Sequence, residues 1–199
     1  MKIFSFFRYI GIFVFICFAP SKAQSVSWSK LNGPYAGGIQ SVCVDRSGDV
    51  IASAADGFFR STDNGRVWQP TGFALTYGAS FILNDSNNYL YTGSISEGVF
   101  LSKDGGAQWT RTQYNDKIYS GYVLSGNRIC IGGIQTVSIS TDQGETWSVS
   151  RPTPYQGSQI LSLTEDNNGY IYAGTQSFTP RNAPPFAGGI YVSKDRGKY

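Results

Sequence analysis

An octapeptide of the form Ser-x-Asp-x-Gly-x-x-Trp occurs three times in this chain, and a fourth copy runs into the last residue. The complete copies are Ser61-Thr-Asp63-Asn-Gly65-Arg-Val-Trp68, Ser102-Lys-Asp104-Gly-Gly106-Ala-Gln-Trp109 and Ser140-Thr-Asp142-Gln-Gly144-Glu-Thr-Trp147. The fourth reads Ser193-Lys-Asp195-Arg-Gly197-Lys-Tyr199. Four fixed positions recurring at this spacing confine the chain to a repeat architecture.

The first 23 residues stand outside the repeats. Lys2 and Arg8 precede an apolar run from Tyr9 to Pro20, and Ser21 and Ala23 are small residues spaced for a signal peptidase. Residues 1–23 therefore read as a secretory signal peptide cleaved near Ala23. The run is short for a membrane span of about 20 residues, so no membrane anchor is expected after cleavage. Cys17 lacks the setting of a lipoprotein cleavage site. The expected location is secreted, either extracellular or periplasmic.

Removing the leader changes the charge. Its three basic residues carry the whole net charge of +3, leaving 13 Lys plus Arg against 13 Asp plus Glu. With no Lys/Arg run to track phosphates, nucleic acid is excluded as a partner. The chain has no histidine, which removes Ser-His-Asp and Cys-His catalysis. With so few thiols it also removes ordinary zinc sites, so no metal or cofactor is expected. Cys43 and Cys130 lie in apolar runs of different repeats and read as small buried thiols.

Trp28, Trp68, Trp109 and Trp147 are separated by 40, 41 and 38 residues. The segments between them align. Gly48-Asp-Val-Ile, Asn87-Asn-Tyr-Leu, Gly126-Asn-Arg-Ile and Asn168-Gly-Tyr-Ile each pass from turn residues into a β-rich run. Other short runs precede and follow, and each octapeptide leads into a fourth. Helical periodicity is absent after residue 23. Short strands between Gly/Asn/Asp turns indicate an all-β fold, and four strands in about 40 residues is the period of a β-propeller blade.

Within each octapeptide, Asp and Ser suit the side-chain turns that clip a hairpin, and Gly suits a tight reversal. The motif resembles the Asp-box, or BNR repeat, of the sialidase-like, sortilin-like and photosystem II assembly factor-like propellers. The resemblance runs from about Trp28 to Tyr199. It implies a propeller of four-stranded antiparallel blades, with repeats at about 38–68, 79–109, 120–147 and 159–199. It also implies a structural role at the blade rim, away from ligand, for Ser61, Asp63, Gly65, Trp68, Ser102, Asp104, Gly106, Trp109, Ser140, Asp142, Gly144, Trp147, Ser193, Asp195 and Gly197. Four blades are represented and the last is incomplete, as in the N-terminal part of a propeller of roughly six to eight blades. Residues 25–31 are a candidate closing strand.

Function is then expected on the loops opposite the boxes. Tyr35, Tyr77, Arg111, Tyr114, Arg151 and Tyr155 fall in those loops and suit glycan stacking or protein contact. The last box lies 53 residues after the third, against 41 and 38 for the earlier intervals. The extra length falls at Thr175 to Gly188, where Phe178, Arg181 and Phe186 are candidate contacts. No pair of carboxylates reads as a glycosidase site, and the Arg-Ile-Pro signature that opens sialidase domains is absent. No catalytic residue is assigned. The expectation is a monomeric, non-enzymatic surface module for a glycan or protein; the alternative is a sialidase-like or xyloglucanase-like hydrolase with its catalytic residues on other blades.

Overall fold

The computed structural model describes residues 27–35, 37–154, 157–176 and 188–197. The chain divides into residues 1–30 and a compact unit from Leu31 to Tyr199. The signal-peptide segment 1–23 lies outside the described residues, and residues 27–31 of the candidate closing strand carry no strand.

Among the described residues, fifteen strands form four antiparallel sheets in chain order. Blade 1 holds β1 (Ile39–Val44), β2 (Val50–Ala54), β3 (Gly57–Ser61) and β4 (Gln69–Pro70). Blade 2 holds β5 (Phe81–Asn84), β6 (Leu90–Ser94), β7 (Gly98–Ser102) and β8 (Thr110–Arg111). Blade 3 holds β9 (Ile118–Leu124), β10 (Arg128–Gly133), β11 (Val137–Ser140) and β12 (Ser148–Ser150), with a 3-10 turn at Ser125–Asn127. Blade 4 holds β13 (Ile160–Glu165), β14 (Ile171–Thr175) and β15 (Ile190–Ser193), and its described strands number three. The all-β, blade-by-blade reading is correct. Each fourth strand starts one residue after its Trp, so the first three blades run two or three residues past the expected boundary.

Three apolar cores lie between blades rather than within them. Ile51 and Phe58 of blade 1 meet Ile82 and Leu90 of blade 2. Tyr91, Val99 and Leu101 of blade 2 meet Ile118, Ile129 and Ile131 of blade 3. Cys130, Val137 and Ile139 of blade 3 meet Ile160, Leu163, Ile171 and Ala173 of blade 4. Alternating side chains point to opposite faces of a strand, so a second strand flanked by two blades must be apolar on both. In β6, Leu90 faces blade 1 and Tyr91 faces blade 3, and all five residues are buried. At the two ends of the arc Val42, Val44, Leu161 and Ile190 stay exposed.

The first strands β1, β5, β9 and β13 neighbour one another in sequence. Their side chains also bond from blade to blade. Ser41 Oγ accepts Ile82 N–H at 3.0 Å, Ser80 Oγ donates to Ile118 O at 2.7 Å and Ser120 Oγ donates to Ile160 O at 2.8 Å. Gly121 leaves room for the Phe81 ring, which would stand 2.9 Å from a Cβ there.

Candidate functional site

Antiparallel order places the octapeptides, between third and fourth strands, at the same end of each blade as the turns between first and second strands. In every box the Ser Oγ accepts the Gly N–H: 2.8 Å in the first three copies and 2.9 Å for Gly197 on Ser193. The same hydroxyl donates to the Asp Oδ1, at 2.8 Å in the first three copies. The Asp then caps the following turn, taking the N–H of Val67, Gln108 and Thr146 at 2.9 Å each. The Trp Nε1 closes the motif on the Gly carbonyl at 3.0–3.1 Å. Gly65, Gly106 and Gly144 have φ of +83°, +96° and +91°, a region L residues rarely enter. These bonds hold the four carboxylates well below the usual range. The leading donors are the N–H groups of Val67 and Gln108 and the hydroxyls of Thr146 and Ser193. Carboxylates engaged this way are clips.

The turns between first and second strands repeat a second clip. Asp45, Asp85 and Asp166 Oδ1 each accept N–H groups two and four residues on, at 2.8–3.0 Å. The left-handed residue is Gly48, Asn88, Asn127 or Gly169, which moves the first blade one residue from its expected alignment. Blade 3 has Leu124 where the others have Asp. Glu165 of blade 4 takes the N–H one residue on, Ser125, at 2.6 Å and the Ser125 hydroxyl at 3.0 Å, the place that Asn88 and Asn127 fill for Arg46 and Ser86. In blade 4 the Tyr172 hydroxyl bonds Asp166 Oδ2 at 3.1 Å. The corresponding Tyr91 hydroxyl and Asp85 Oδ2 are buried without that bond. Burial first, and the Asp85 carboxylate second, push the Tyr91 phenol up.

Two arginines knit neighbouring blades at this end. Arg60 pairs with Asp45 at 2.8 Å and Asp49 at 2.6 Å, and reaches Gly105 O of the second box at 2.5 Å. Arg128 pairs with Glu165 at 2.8 Å and donates to Arg196 O of the fourth box at 2.8 Å. Both guanidinium groups thus cap the carbonyl of a box's fourth residue on the next blade. The sequence signal was faint. Arg60 stands where the other repeats have Leu101, Ile139 and Val192, and Arg128 stands where they have Asp49, Tyr89 and Tyr170.

The opposite end carries the loops from fourth to first strands and the turns from second to third. Glu97 in one such turn accepts Thr76 N–H at 2.6 Å, and Gln135 N–H donates to Ser158 O at 2.6 Å. Tyr77 is 66% exposed here, with Ile95 and Ile134 of the next two blades also open to solvent.

The predicted contact residues do not assemble into one site. Tyr35 is exposed, with its hydroxyl on Asn32 at 3.0 Å. Tyr114 is a correction: at 5% exposure it belongs to the core between blades 2 and 3, packing on Trp147 at 5.0 Å. Arg111 lines a groove of about 480 Å³ between blades 2 and 3, and Arg151 one of about 550 Å³ between blades 3 and 4. Tyr155, Phe178, Arg181 and Phe186 lie outside the described residues. Cys43 and Cys130 are free thiols, each pushed up to about 12 chiefly by burial. Among the described residues no cluster of His, Cys, Asp and Glu could hold a metal.

The family model for the BNR/Asp-box repeat matches residues 138–149, which span the third octapeptide. This chain is built of Asp-box repeats on a β-propeller fold. Among solved structures, the Asp-box chain is similar to an ancestral GH74 enzyme, with TM-score 0.68 and 20% identity over 87% of this chain and 25% of that one. It is also similar to the GH74 xyloglucanase from Xanthomonas campestris, with TM-score 0.66 and 18% identity over 82% of this chain and 29% of that one. A third is YCF48 bound to D1 peptide, with TM-score 0.61 and 13% identity over 88% of this chain and 57% of that one. At such identities the likeness is one of fold. The Asp-box chain spans about a quarter of the length of the two enzymes. No curated protein matches it in sequence.

Proposed function

We propose that this chain is an exported, non-enzymatic binding propeller that recognises a glycan or a protein at its loop end. The observation that carries the reading is how the carboxylates are used. Of the 13 acids, ten are engaged by a turn N–H, a hydroxyl or an arginine: Asp45, Asp49, Asp63, Asp85, Glu97, Asp104, Asp142, Glu165, Asp166 and Asp195. Nine of these sit at the box end, and Glu97 holds a loop. Most glycoside hydrolases use two carboxyl groups about 5–10 Å apart across a cleft, and this allocation leaves few to serve.

Exposed Tyr77, Ile95 and Ile134 give the loop end an apolar and aromatic character that suits recognition. The fold's neighbour YCF48, bound to a peptide, supports a protein ligand. The leader supports export. The second reading, a glycoside hydrolase, is favoured by the two GH74 neighbours, whose greater length would provide further blades.

A glycan array and a panel of purified envelope proteins probed with the chain and with Tyr77→Ala test the proposal. Capture that Tyr77→Ala weakens is expected. Turnover of a xyloglucan oligosaccharide by the chain would replace this reading with the hydrolase one.

A further inference from the structure

At the loop end of blades 1 to 3, turns from second to third strands alternate with blade-to-blade loops in one continuous row. The blade 1 turn that carries Asp56 is tied to the following loop by Phe58 N–H on Phe73 O at 3.0 Å. That loop runs on to Tyr77 and is held to the blade 2 turn by Thr76 N–H on Glu97 at 2.6 Å. The blade 2 turn carries Ile95, and Val99 N–H just after it bonds Tyr114 O at 3.1 Å, in the loop that carries Asp116. This loop ends beside Ile134, because Ile118 pairs with Gly133 in blade 3. Asp56, Tyr77, Ile95, Asp116 and Ile134 follow one another along the row, and all five are exposed. All belong to blades whose sheets have four strands.

Charge decides what such a row attracts. Asp56, Asp116 and Glu145 are the acids whose side chains are held by no hydrogen bond or ion pair among the described residues. Two of them stand in this row, and Glu145 lies in the third octapeptide at the box end. With Glu97, the turns and loops of the row carry three carboxylates against one cation, Lys117. An anionic sugar would be repelled here. Ile95 and Ile134 offer a sugar ring no aromatic face to stack on. Aliphatic side chains exposed beside a tyrosine instead mark a protein interface, and a tyrosine face attracts lysine and arginine.

We propose that the loop end of blades 1 to 3 docks a polypeptide segment bearing basic and aliphatic side chains. Its lysines or arginines meet Asp56, Asp116 and the ring face of Tyr77, while its aliphatic side chains pack on Ile95 and Ile134. The proposal rests on the loop-end reading and narrows its ligand from a glycan or a protein to a cationic polypeptide. Complementary charge gives such a contact its specificity and makes it weaken as salt rises. The aliphatic contacts keep part of it at high salt.

The probe is a fluorescent synthetic peptide repeating Leu-Lys-Gly, titrated onto the full chain by anisotropy beside counterparts with Gln or Glu in place of Lys. Saturable binding of the Lys peptide is expected, weakened about tenfold by Asp56→Asn combined with Asp116→Asn and about threefold by Ile95→Ser. Glu145→Gln makes the same change of charge at the box end and should leave binding unchanged. Thermal melts accompany each titration, so that a folding defect is separated from a binding defect. No binding of the Lys peptide up to about 1 mM, equal binding of the Glu peptide, or an equal loss in Glu145→Gln would overturn the proposal. Capture of a glycan that Tyr77→Ala weakens, with no binding of the Lys peptide, would overturn it while leaving the loop end as the binding end. Capture of glycan and protein alike unmoved by Tyr77→Ala would sink the loop-end reading itself.

Discussion

The two ends of each blade are built from different materials. At the box end, Ser, Asp and Gly fold a turn onto itself, the first-to-second strand turns repeat the device, and Arg60 and Arg128 carry it across to the next blade. Nine of the chain's 13 carboxylates are held there. At the loop end the polar ties are scattered single bonds, such as Thr76 N–H to Glu97 and Ala79 N–H to Gln40, rather than a repeated clip, and aromatic and aliphatic side chains reach solvent from successive blades. A polar end tied by its own bonds has little left to offer a ligand, because most of its carboxylates already have partners and the unpartnered Tyr91 hydroxyl and Asp85 Oδ2 are buried. The comparison teaches that a repeated acidic motif marks where the fold is fastened; the proposed recognition is placed at the other end.

Substitutions can break this contrast, and the largest effect is expected from the box tryptophan. Trp109→Ala removes the stack on Phe73 and should cost about 3 kcal/mol, at the lower end for large aromatics because the ring is half-buried. Urea unfolding measures it. Arg60→Met is next: it leaves the buried Asp45 carboxylate without its cation and should cost about 2 kcal/mol in the same assay. Ser102→Ala, which strips Gly106 N–H of its acceptor, should cost about 1 kcal/mol. If Ser102→Ala instead abolished ligand capture in a stable protein, the box end would be functional and the contrast would fail.

Acid should act on the box end through its depressed carboxylates. Their pKa values are lower folded than unfolded, so their contribution is complete above the unfolded value near 4. It is lost as the pH falls below that value through the folded pKa. A melting temperature steady from neutral pH to about pH 5 and declining below about pH 4 is expected, and Asp63→Asn should flatten part of that decline. The smallest structural effect is expected at the loop end, where Tyr77→Ala should shift stability by less than about 0.5 kcal/mol.

The octapeptide was legible because it is local: every bond of the clip spans at most four residues, so the sequence contains the whole device. Strand order followed from it. Tyr77 and Tyr114 were not separable in the same way. Both follow a box Trp by a few residues, yet Tyr77 ends in solvent and Tyr114 beneath Trp147, because the path of a blade-to-blade loop depends on the neighbouring blade. The arginines illustrate the same limit. Arg60 reaches a carbonyl 45 residues away and Arg128 one 68 residues away, and no local pattern announces either. Arg111 and Arg151 looked like members of one face and line two separate grooves, since residues just after a box Trp lie on the flank of the blade.

Hydrogen–deuterium exchange on the chain, with and without a glycan or protein captured from the array or panel, tests the division between the two ends most directly. The account predicts protection in residues 71–79 and 112–117 at the loop end, with exchange unchanged in the boxes at 61–68, 102–109 and 140–147. Protection concentrated in the boxes, with the loops unaffected, would contradict it.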